Sequence, residues 1–565
     1  MNKKISIAIN GKAIKTEFGK TILEIAQQNA IKIPTLCYHS DLEPKASCRL
    51  CLVTIQGVRN PQTACSTMAK NGMRITTDSL ELRALRKTNL ELLFSQHREE
   101  CYDCVLKYNC QFLKLAKEFD VEITRFIDRK TKFPIYKFGP SLLFDSTKCI
   151  DCRNCVEVCQ KQKVGYLKLT NKKTLNQIQP DKNKDCIFCG QCITHCPVGA
   201  FEAIGEFENI EKPLKTKNKI IVFQIAPAIR TSIGEEFGLE EGKIIVNKLV
   251  GAIKQLGVDF IFDVSAGADF TTFEEAKEMI EKIQSGKKSL LFSSCCPAWV
   301  RFVEKYYPQF TANLATARPP HIISGGLIKT YWAKKQKIDP KDIFVVSVMP
   351  CVAKKYEITR KEMLIDGLKP VDYVLTTREL AYLLKKHNIN LAKSKPRQMD
   401  NPFGNPSGSG VIYGASGGVM ESALRVAQKI ITGKQKKIDF QPVRGQQGIK
   451  TGTIKIQGEK IRVAVASGTG NAKIILEQLK KNPFRYQCVE IMACPGGCIG
   501  GGGQPLPQDK NTRLKRAQSL YKIDKTKKIR IASENPDLQK IYQEFLANEK
   551  IIQKICHARY KNTNK

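Results

Sequence analysis

No stretch of about 18 consecutive apolar residues occurs in the 565-residue chain, which excludes an ordinary membrane-spanning helix. The amino terminus, MNKKISIAINGK, lacks the apolar core of a secretory leader and moves straight into a strand-like alternation. No targeting segment is therefore expected, and the predicted location is cytoplasmic. Acidic residues are scarce beside basic ones, 54 against 92, for a formal charge of +38. Such an excess would suit nucleic acid, but no nucleic-acid-reading motif accompanies it. Low-complexity segments and repeats are missing too, beyond one duplicated cysteine run. Cysteine is abundant: 22 residues, many at C-x2-C spacing and without a leader, point to metal ligation in a reducing compartment rather than to disulfides.

At this length three or four domains are expected, with ample core. The organising stretch is Gln487 to Pro505, QCVEIMACPGGCIGGGGQP. An apolar run over Val489, Ile491 and Met492 stops at Cys494; Cys498 follows within a turn, and four glycines begin at Gly500. This reads as a strand delivering two thiols to one point, with side-chain-free backbone packed against what they hold. KSLLFSSCCPAW likewise runs into Cys295 and Cys296, and DIFVVSVMPCVAKKYE into Met349, Pro350 and Cys351. If these strands are parallel, their carboxyl ends face one crevice, the usual ligand position of an open α/β sheet. Cys296, Cys351, Cys494 and Cys498 would then be four ligands of one cluster, with Cys295 left over beside them.

From about residue 215, strand-like runs such as KIIVFQIAPAIR and GVDFIFDVSAGAD alternate with amphipathic segments. The pattern predicts an α/β unit of two lobes with the cysteines between them. NPFGNPSGSG (401–410) reads as a long loop, and the Lys-rich tail beyond Gln508 as loosely patterned, with helix over 534–556.

The amino-terminal half carries three more cysteine groups. Alternating Ile5, Ile7 and Ile9, a turn at Gly11 and the helical TILEIAQQNAI precede Cys37, Cys48, Cys51 and Cys65. That spacing suits a [2Fe–2S] cluster wrapped by a loop better than a zinc ribbon. Leu80, Leu82, Leu85, Leu90, Leu92 and Leu93 then predict one apolar helix face leading to His97, Cys101, Cys104 and Cys110. Finally, C-x2-C-x2-C-x3-C occurs twice, the run of two-cluster ferredoxins, in which the fourth cysteine of each run serves the other cluster. Cys149, Cys152, Cys155 and Cys196 are assigned to one [4Fe–4S], and Cys186, Cys189, Cys192 and Cys159 to the other. His39 is expected as a loop residue, His195 as a polar neighbour of Cys196, and Cys488 as a core thiol.

Taken together, three of these stretches resemble the signature loops of [FeFe]-hydrogenases. TSCCPxW is matched by Ser293 to Trp299, MPCxxKxxE by Met349 to Glu357, and ExMACxxGCxxGGGxP by Glu490 to Pro505; Ser293 for Thr is the one departure. The resemblance implies a β-grasp [2Fe–2S] domain over 1–80 and a double [4Fe–4S] domain over 141–212. Between them, over 81–140, it implies a [4Fe–4S] domain ligated by His97, Cys101, Cys104 and Cys110. Residues 213–565 would be the catalytic domain. It also implies an H-cluster, a [4Fe–4S] on Cys296, Cys351, Cys494 and Cys498 bridged through the Cys498 sulfur to a di-iron site with carbonyl, cyanide and azadithiolate. Lys354 would bond a cyanide, Met349 and Met492 would pack the site, and Ala226 and Pro227 would form its apolar wall.

The activity so implied is reversible reduction of protons to H2, with evolution from reduced ferredoxin as the favoured direction and maturation proteins as further partners. Cys295 would be the last proton donor, fed by Glu275 and Glu278 one helical turn apart, with Lys282 in place of the usual arginine. The family's relay serine falls on Ala315, which cannot pass a proton. Thr316, an ordered water or another route must serve, and water is favoured because neighbouring residues diverge in direction. A complex I–type subunit would lack the three loops, cytosolic Fe–S assembly relatives would lack the [2Fe–2S] domain, and a hydrogen sensor would lose Cys295.

Overall fold

The computed structural model describes residues 4–560 apart from 99–100, 103, 127–132, 173–174, 206, 285–289, 435–438 and 457–458. β1 (Lys4–Ile9) and β2 (Lys12–Glu17) form a hairpin that turns through Asn10 and Gly11, both at positive φ. With β3 (Leu52–Ile55), β4 (Gln62–Thr63) and β5 (Arg74–Thr76) they make one sheet of order β2-β1-β5-β3-β4. Ile5, Ile7 and Ile9 share a buried cluster with Ile22, Leu23 and Ile25 of the helix Ile22–Gln28. That helix opens on a capping box between Thr21 and Glu24.

The helix Leu80–Phe94 differs from its predicted face. Leu82, Leu90 and Leu93 are buried, but Leu80 is 90% exposed and Leu85 and Leu92 face water. The inward stripe runs 82, 86, 90, 93, and its second place is taken by Arg86. The Arg86 guanidinium donates to the carbonyls of Leu50, Leu52 and Thr77 at 2.7 to 3.0 Å, which satisfies a fully enclosed charge.

β6 (Ile135–Phe138), β7 (Leu142–Asp145) and β10 (Phe201–Ala203) form a small sheet, and β8 (Leu167–Lys172) pairs with β9 (Leu175–Pro180) in a hairpin the sequence does not signal. One apolar cluster runs from Leu36 and Phe94 through Phe144 and Phe201 to Val352 and Ala493, so the cysteine-rich half is packed onto the half that follows.

Beyond residue 215 stand two four-stranded sheets. β11 (Ile220–Ile225), β12 (Phe260–Asp263), β14 (Ile343–Met349) and β15 (Tyr373–Thr376) are all parallel, in the order β12-β11-β14-β15. β13 (Leu291–Phe292), β16 (Ile449–Ile456), β17 (Glu459–Ser467) and β18 (Cys488–Met492) follow the order β13-β18-β17-β16, parallel except for the β16–β17 hairpin. The two-lobed α/β reading holds. Residues 288–289, at the start of the predicted run into Cys295, lie outside the described residues.

Three readings are corrected. VSAGAD is not strand but the start of the long helix Val264–Gln284. The 401–410 loop ends early, at a short helix Gly408–Ile412. The loosely patterned tail contains the helix Lys510–Thr526, followed by Pro536–Glu544 and Glu549–Cys556. Lys510–Thr526 looks polar because arginines fill its inner face. Arg516 pairs with Glu235 and donates to the Ile499 carbonyl, and Arg513 grips both carboxylate oxygens of Asp41 at 2.8 and 2.9 Å. That fork ties the first domain to the tail. Among the described residues no helix is long and apolar enough to cross a membrane.

Candidate active site

β13, β14 and β18 stop at one level, and the chain turns there into a single apolar cavity. Cys295, Cys296, Cys351, Cys494 and Cys498 line it, together with Ala226, Pro227, Met349, Met492 and Lys354. All five cysteines are free thiols. Burial pushes each of them up, Cys351 to about 12, so only a cation drawn between them would hold them as thiolates. Glycine lets the loops around the cavity pack backbone against backbone. A Cβ on Gly501 would sit 2.2 Å from the Pro350 carbonyl oxygen, and one on Gly497 2.6 Å from the Ser416 nitrogen. Four sulfurs lining one largely apolar cavity fit a thiolate-held iron–sulfur group.

The charged group in this wall is fixed from behind. Lys354 Nζ donates to the Cys295 carbonyl at 3.0 Å and to Glu357 at 2.7 Å. Burial alone would pull this ammonium down, but the Glu357 carboxylate outweighs it and holds it charged. Glu357 also meets His321 Nε2 at 2.5 Å, while His321 Nδ1 meets Ser347. Burial and the Lys354 charge push that imidazole down to about 4, so it is neutral. Glu357, three residues after Lys354, is signalled by its spacing; His321 carries no sequence signal. Glu490 accepts from the N–H groups of Gly417 and Met420 and so caps the helix Gly418–Thr432 beside the cavity.

The residues of each other cysteine group lie near one another. Cys37 and Cys48 exchange backbone N–H contacts to each other's sulfur at 3.5 and 3.4 Å, and Cys51 and Cys65 pack in the adjoining cluster. His97, Cys101, Cys104 and Cys110 line one cavity, where the bond between His97 Nδ1 and the Lys148 carbonyl places the ring's lone pair on Nε2. Burial pushes the Cys152 and Cys192 thiols up; Cys149 and Cys196 lie near the first, and Cys159, Cys186 and Cys189 near the second.

The second of these groups touches the active-site cavity. Cys494 Sγ lies 3.8 Å from the Cys189 carbonyl oxygen. The Gly190 and Gly502 backbones meet so closely that a Cβ on Gly502 would be 2.7 Å from the Gly190 Cα. This contact explains the glycine run after Cys498. Nearer the first domain, His39, Asp41 and His195 lie within 4.8 Å of one another. Asp41 is occupied by Arg513, and His39 Nδ1 accepts from the Asp41 N–H, so the trio is a structural clasp.

The family description "iron only hydrogenase large subunit, C-terminal domain" matches residues 219–502. Iron hydrogenase 1 of Clostridium pasteurianum is 36% identical over 572 residues, covering 98% of this chain and all of that one. The chain belongs to the iron-only, or [FeFe], hydrogenase family. It is an oxidoreductase of hydrogen metabolism carrying iron–sulfur clusters. A 2Fe–2S cluster-binding domain matches 2–79, a 4Fe–4S dicluster domain 148–200, and the iron hydrogenase small subunit 510–563. The NADP-reducing hydrogenase subunit HndD of Solidesulfovibrio fructosivorans is 36% identical, with 96% of each chain covered. A solved apo [FeFe]-hydrogenase from Chlamydomonas reinhardtii aligns with 62% of this chain and 98% of its own at TM-score 0.56 and 34% identity.

On the acid–base side of this hydrogenase, Glu275 is buried on the helix Val264–Gln284. Burial, then the charges of Glu278 and Glu490, push its carboxyl well above the usual range. Cys295 is raised mainly by burial, and Glu275 lies near enough to act on it. Ala315, in the serine's place, is fully enclosed among Met279, Leu291, Met420 and Cys488. Thr316, expected to point elsewhere, does not: its hydroxyl lies 2.8 Å from Glu278, which also accepts the N–H groups of Thr316 and Ala317. Lys282 reaches toward the Leu290 carbonyl at 3.4 Å.

Proposed function

We propose that this hydrogenase combines two protons and two electrons into H2, reversibly, with evolution from reduced ferredoxin as its working direction. The observation that carries the proposal is the meeting of four thiols in one cavity with Cys295, a fifth thiol outside the ligand set. Cys296, Cys351, Cys494 and Cys498 would hold the H-cluster, and Cys498 would share its sulfur with the di-iron part. When bound, that group supplies an open iron site and a bridge amine at which protons and electrons combine.

The chain's own residues do the rest. Ala226, Pro227, Met349 and Met492 keep the cavity dry and free of competing proton acceptors, and Lys354 offers a fixed cation to an anionic ligand. Glu278, Glu275 and Cys295 hold and pass the proton, and the Cys295 Sγ–H gives it to the reacting site. Electrons would enter at the [2Fe–2S] group on Cys37, Cys48, Cys51 and Cys65 or at the [4Fe–4S] on His97, Cys101, Cys104 and Cys110. They would then cross the two ferredoxin-type [4Fe–4S] groups. The last of these, on Cys186, Cys189, Cys192 and Cys159, adjoins the Cys494 loop. The proposed complement is one [2Fe–2S], three [4Fe–4S] and an azadithiolate-bridged H-cluster, inserted by maturation proteins.

The +38 charge suits an acidic carrier, whose attraction extends over about 8 Å at physiological ionic strength. Hydrogen evolution by the matured enzyme with reduced ferredoxin should slow as salt rises. A salt-independent rate would sink the docking argument. Evolution with NADPH but not with ferredoxin would shift the donor toward the chemistry in the Solidesulfovibrio relative's name.

A further inference from the structure

We infer that His557 exchanges protons between a surface pocket and Glu278 through the Thr316 hydroxyl. The inference rests on the reading that Glu278 and Glu275 feed Cys295, and it supplies the outer end which that reading leaves open.

The geometry is set by the chain's last described segment. His557 pairs with Ala317 in an antiparallel bridge, the Ala558 N–H donates to the Thr316 carbonyl at 2.8 Å, and the Arg318 N–H donates to the Cys556 carbonyl at 2.6 Å. These backbone bonds on both sides of the ring fix its position. Its Nδ1 lies 2.7 Å from Thr316 Oγ1, which lies 2.8 Å from Glu278 Oε1. Its Nε2 lies 3.2 Å from Glu274 Oε2. Imidazole, hydroxyl and carboxylate therefore form an unbroken hydrogen-bonded line.

The outer end of that line opens on a pocket of about 480 Å³. Glu278, Thr316 and His557 reach it from the protein side, and Glu281, Lys282, Glu549 and Arg559 surround it. Glu274 is held by Lys277 at 3.0 Å and by the Tyr542 hydroxyl. Burial would raise the Glu274 carboxyl, but its bond to His557 and the Lys277 charge outweigh that and keep it low, so an anion faces the ring. Two carboxylates face the ring, Glu274 at 3.2 Å from Nε2 and Glu278 at 3.7 Å from Nδ1, and the hydroxyl offers one way to pass a proton inward.

The step balances without electron transfer. As the Thr316 proton passes to Glu278 Oε1, the Thr316 oxygen takes the proton from His557 Nδ1. One N–H bond and one O–H bond break, two O–H bonds form, the imidazolium becomes neutral and the carboxylate becomes a carboxyl. Hydronium or a protonated buffer molecule reaching the pocket then returns a proton to the ring and leaves as water or buffer base.

The test uses the matured enzyme with a fast artificial donor, so that electron supply is not limiting. His557→Gln keeps an amide within reach of Thr316 and Glu274 but carries no titrating proton. Turnover should fall about tenfold, less than the roughly 10²- to 10⁴-fold of an acid or base at the reacting atoms, because His557 acts at the outer end of the line. The infrared bands of the active site should be unchanged, and free imidazole in the buffer should restore turnover in proportion to its concentration. His557→Asn, measured in parallel, should respond in the same way. Wild-type turnover in both variants, or a loss that imidazole does not restore, overturns the relay. Glu278→Gln separates the two ideas. If it is inactive while the His557 variants are silent, only the present inference fails; if it is silent itself, the carboxylate path fails and the inference with it.

Discussion

The metal side and the proton side of the cavity are built on opposite plans. The metal side draws its thiols from three short loops at strand ends, and its walls are alanine, proline, methionine and glycine. The proton side strings single polar groups from distant parts of the chain, with Thr316 and His557 241 residues apart. A cluster has a fixed size, so its ligands sit at fixed strand ends, each marked by an apolar run that stops at a cysteine. A proton line needs only successive hydrogen bonds, so any segment that the fold brings near can supply a member.

The largest effect should come from cutting the metal side at its shared sulfur. Cys498→Ala is expected to lose the Fe–CO and Fe–CN infrared bands and to bring hydrogen evolution to background. Retained bands would place the bridging sulfur elsewhere and undo the assignment of the two sides.

A change on the proton side should leave the bands and register in pH dependence instead. Glu275 has a folded-state value raised mainly by burial, so the native chain keeps a proton that the unfolded chain releases. Its contribution to stability is full below the unfolded value of about 4.3 and is lost as pH rises toward and through the folded one. Glu275→Gln should therefore melt progressively higher than the wild type as pH is raised from about 4 to 8. Parallel melting curves across that range would mean that the carboxyl is not held protonated.

The smallest effect is expected at Ala315. Its methyl faces an apolar cluster, and the outer line runs through Thr316 instead. Ala315→Ser should change turnover by less than about twofold, measured with a fast donor. A larger gain would bring the serine route back and weaken the case for His557.

The same contrast explains what the sequence shows and hides. The cysteine groups, the two lobes and the strand-end cavity follow from C-x2-C spacing and from apolar runs that stop at cysteine. The helices at Leu80–Phe94 and Lys510–Thr526 are harder to read, because Arg86, Arg513 and Arg516 occupy inward positions where apolar periodicity would expect leucine. Thr316 looks like the neighbour of a lost serine, and only the path of the backbone between the bridges at Leu314 and Ala317 aims it at Glu278. His321 and His557 have no local pattern at all. Each matters through one partner, Glu357 or Thr316, that lies far away in the chain.

The two sides meet at Cys295, whose carbonyl is held by Lys354 and whose thiol feels Glu275. The most direct measurement is an infrared spectrum and a turnover rate on matured Cys295→Ala beside the wild type. The account predicts Fe–CO and Fe–CN bands in both proteins, with hydrogen evolution nearly abolished in the variant alone. Intact bands with wild-type turnover in Cys295→Ala would contradict it.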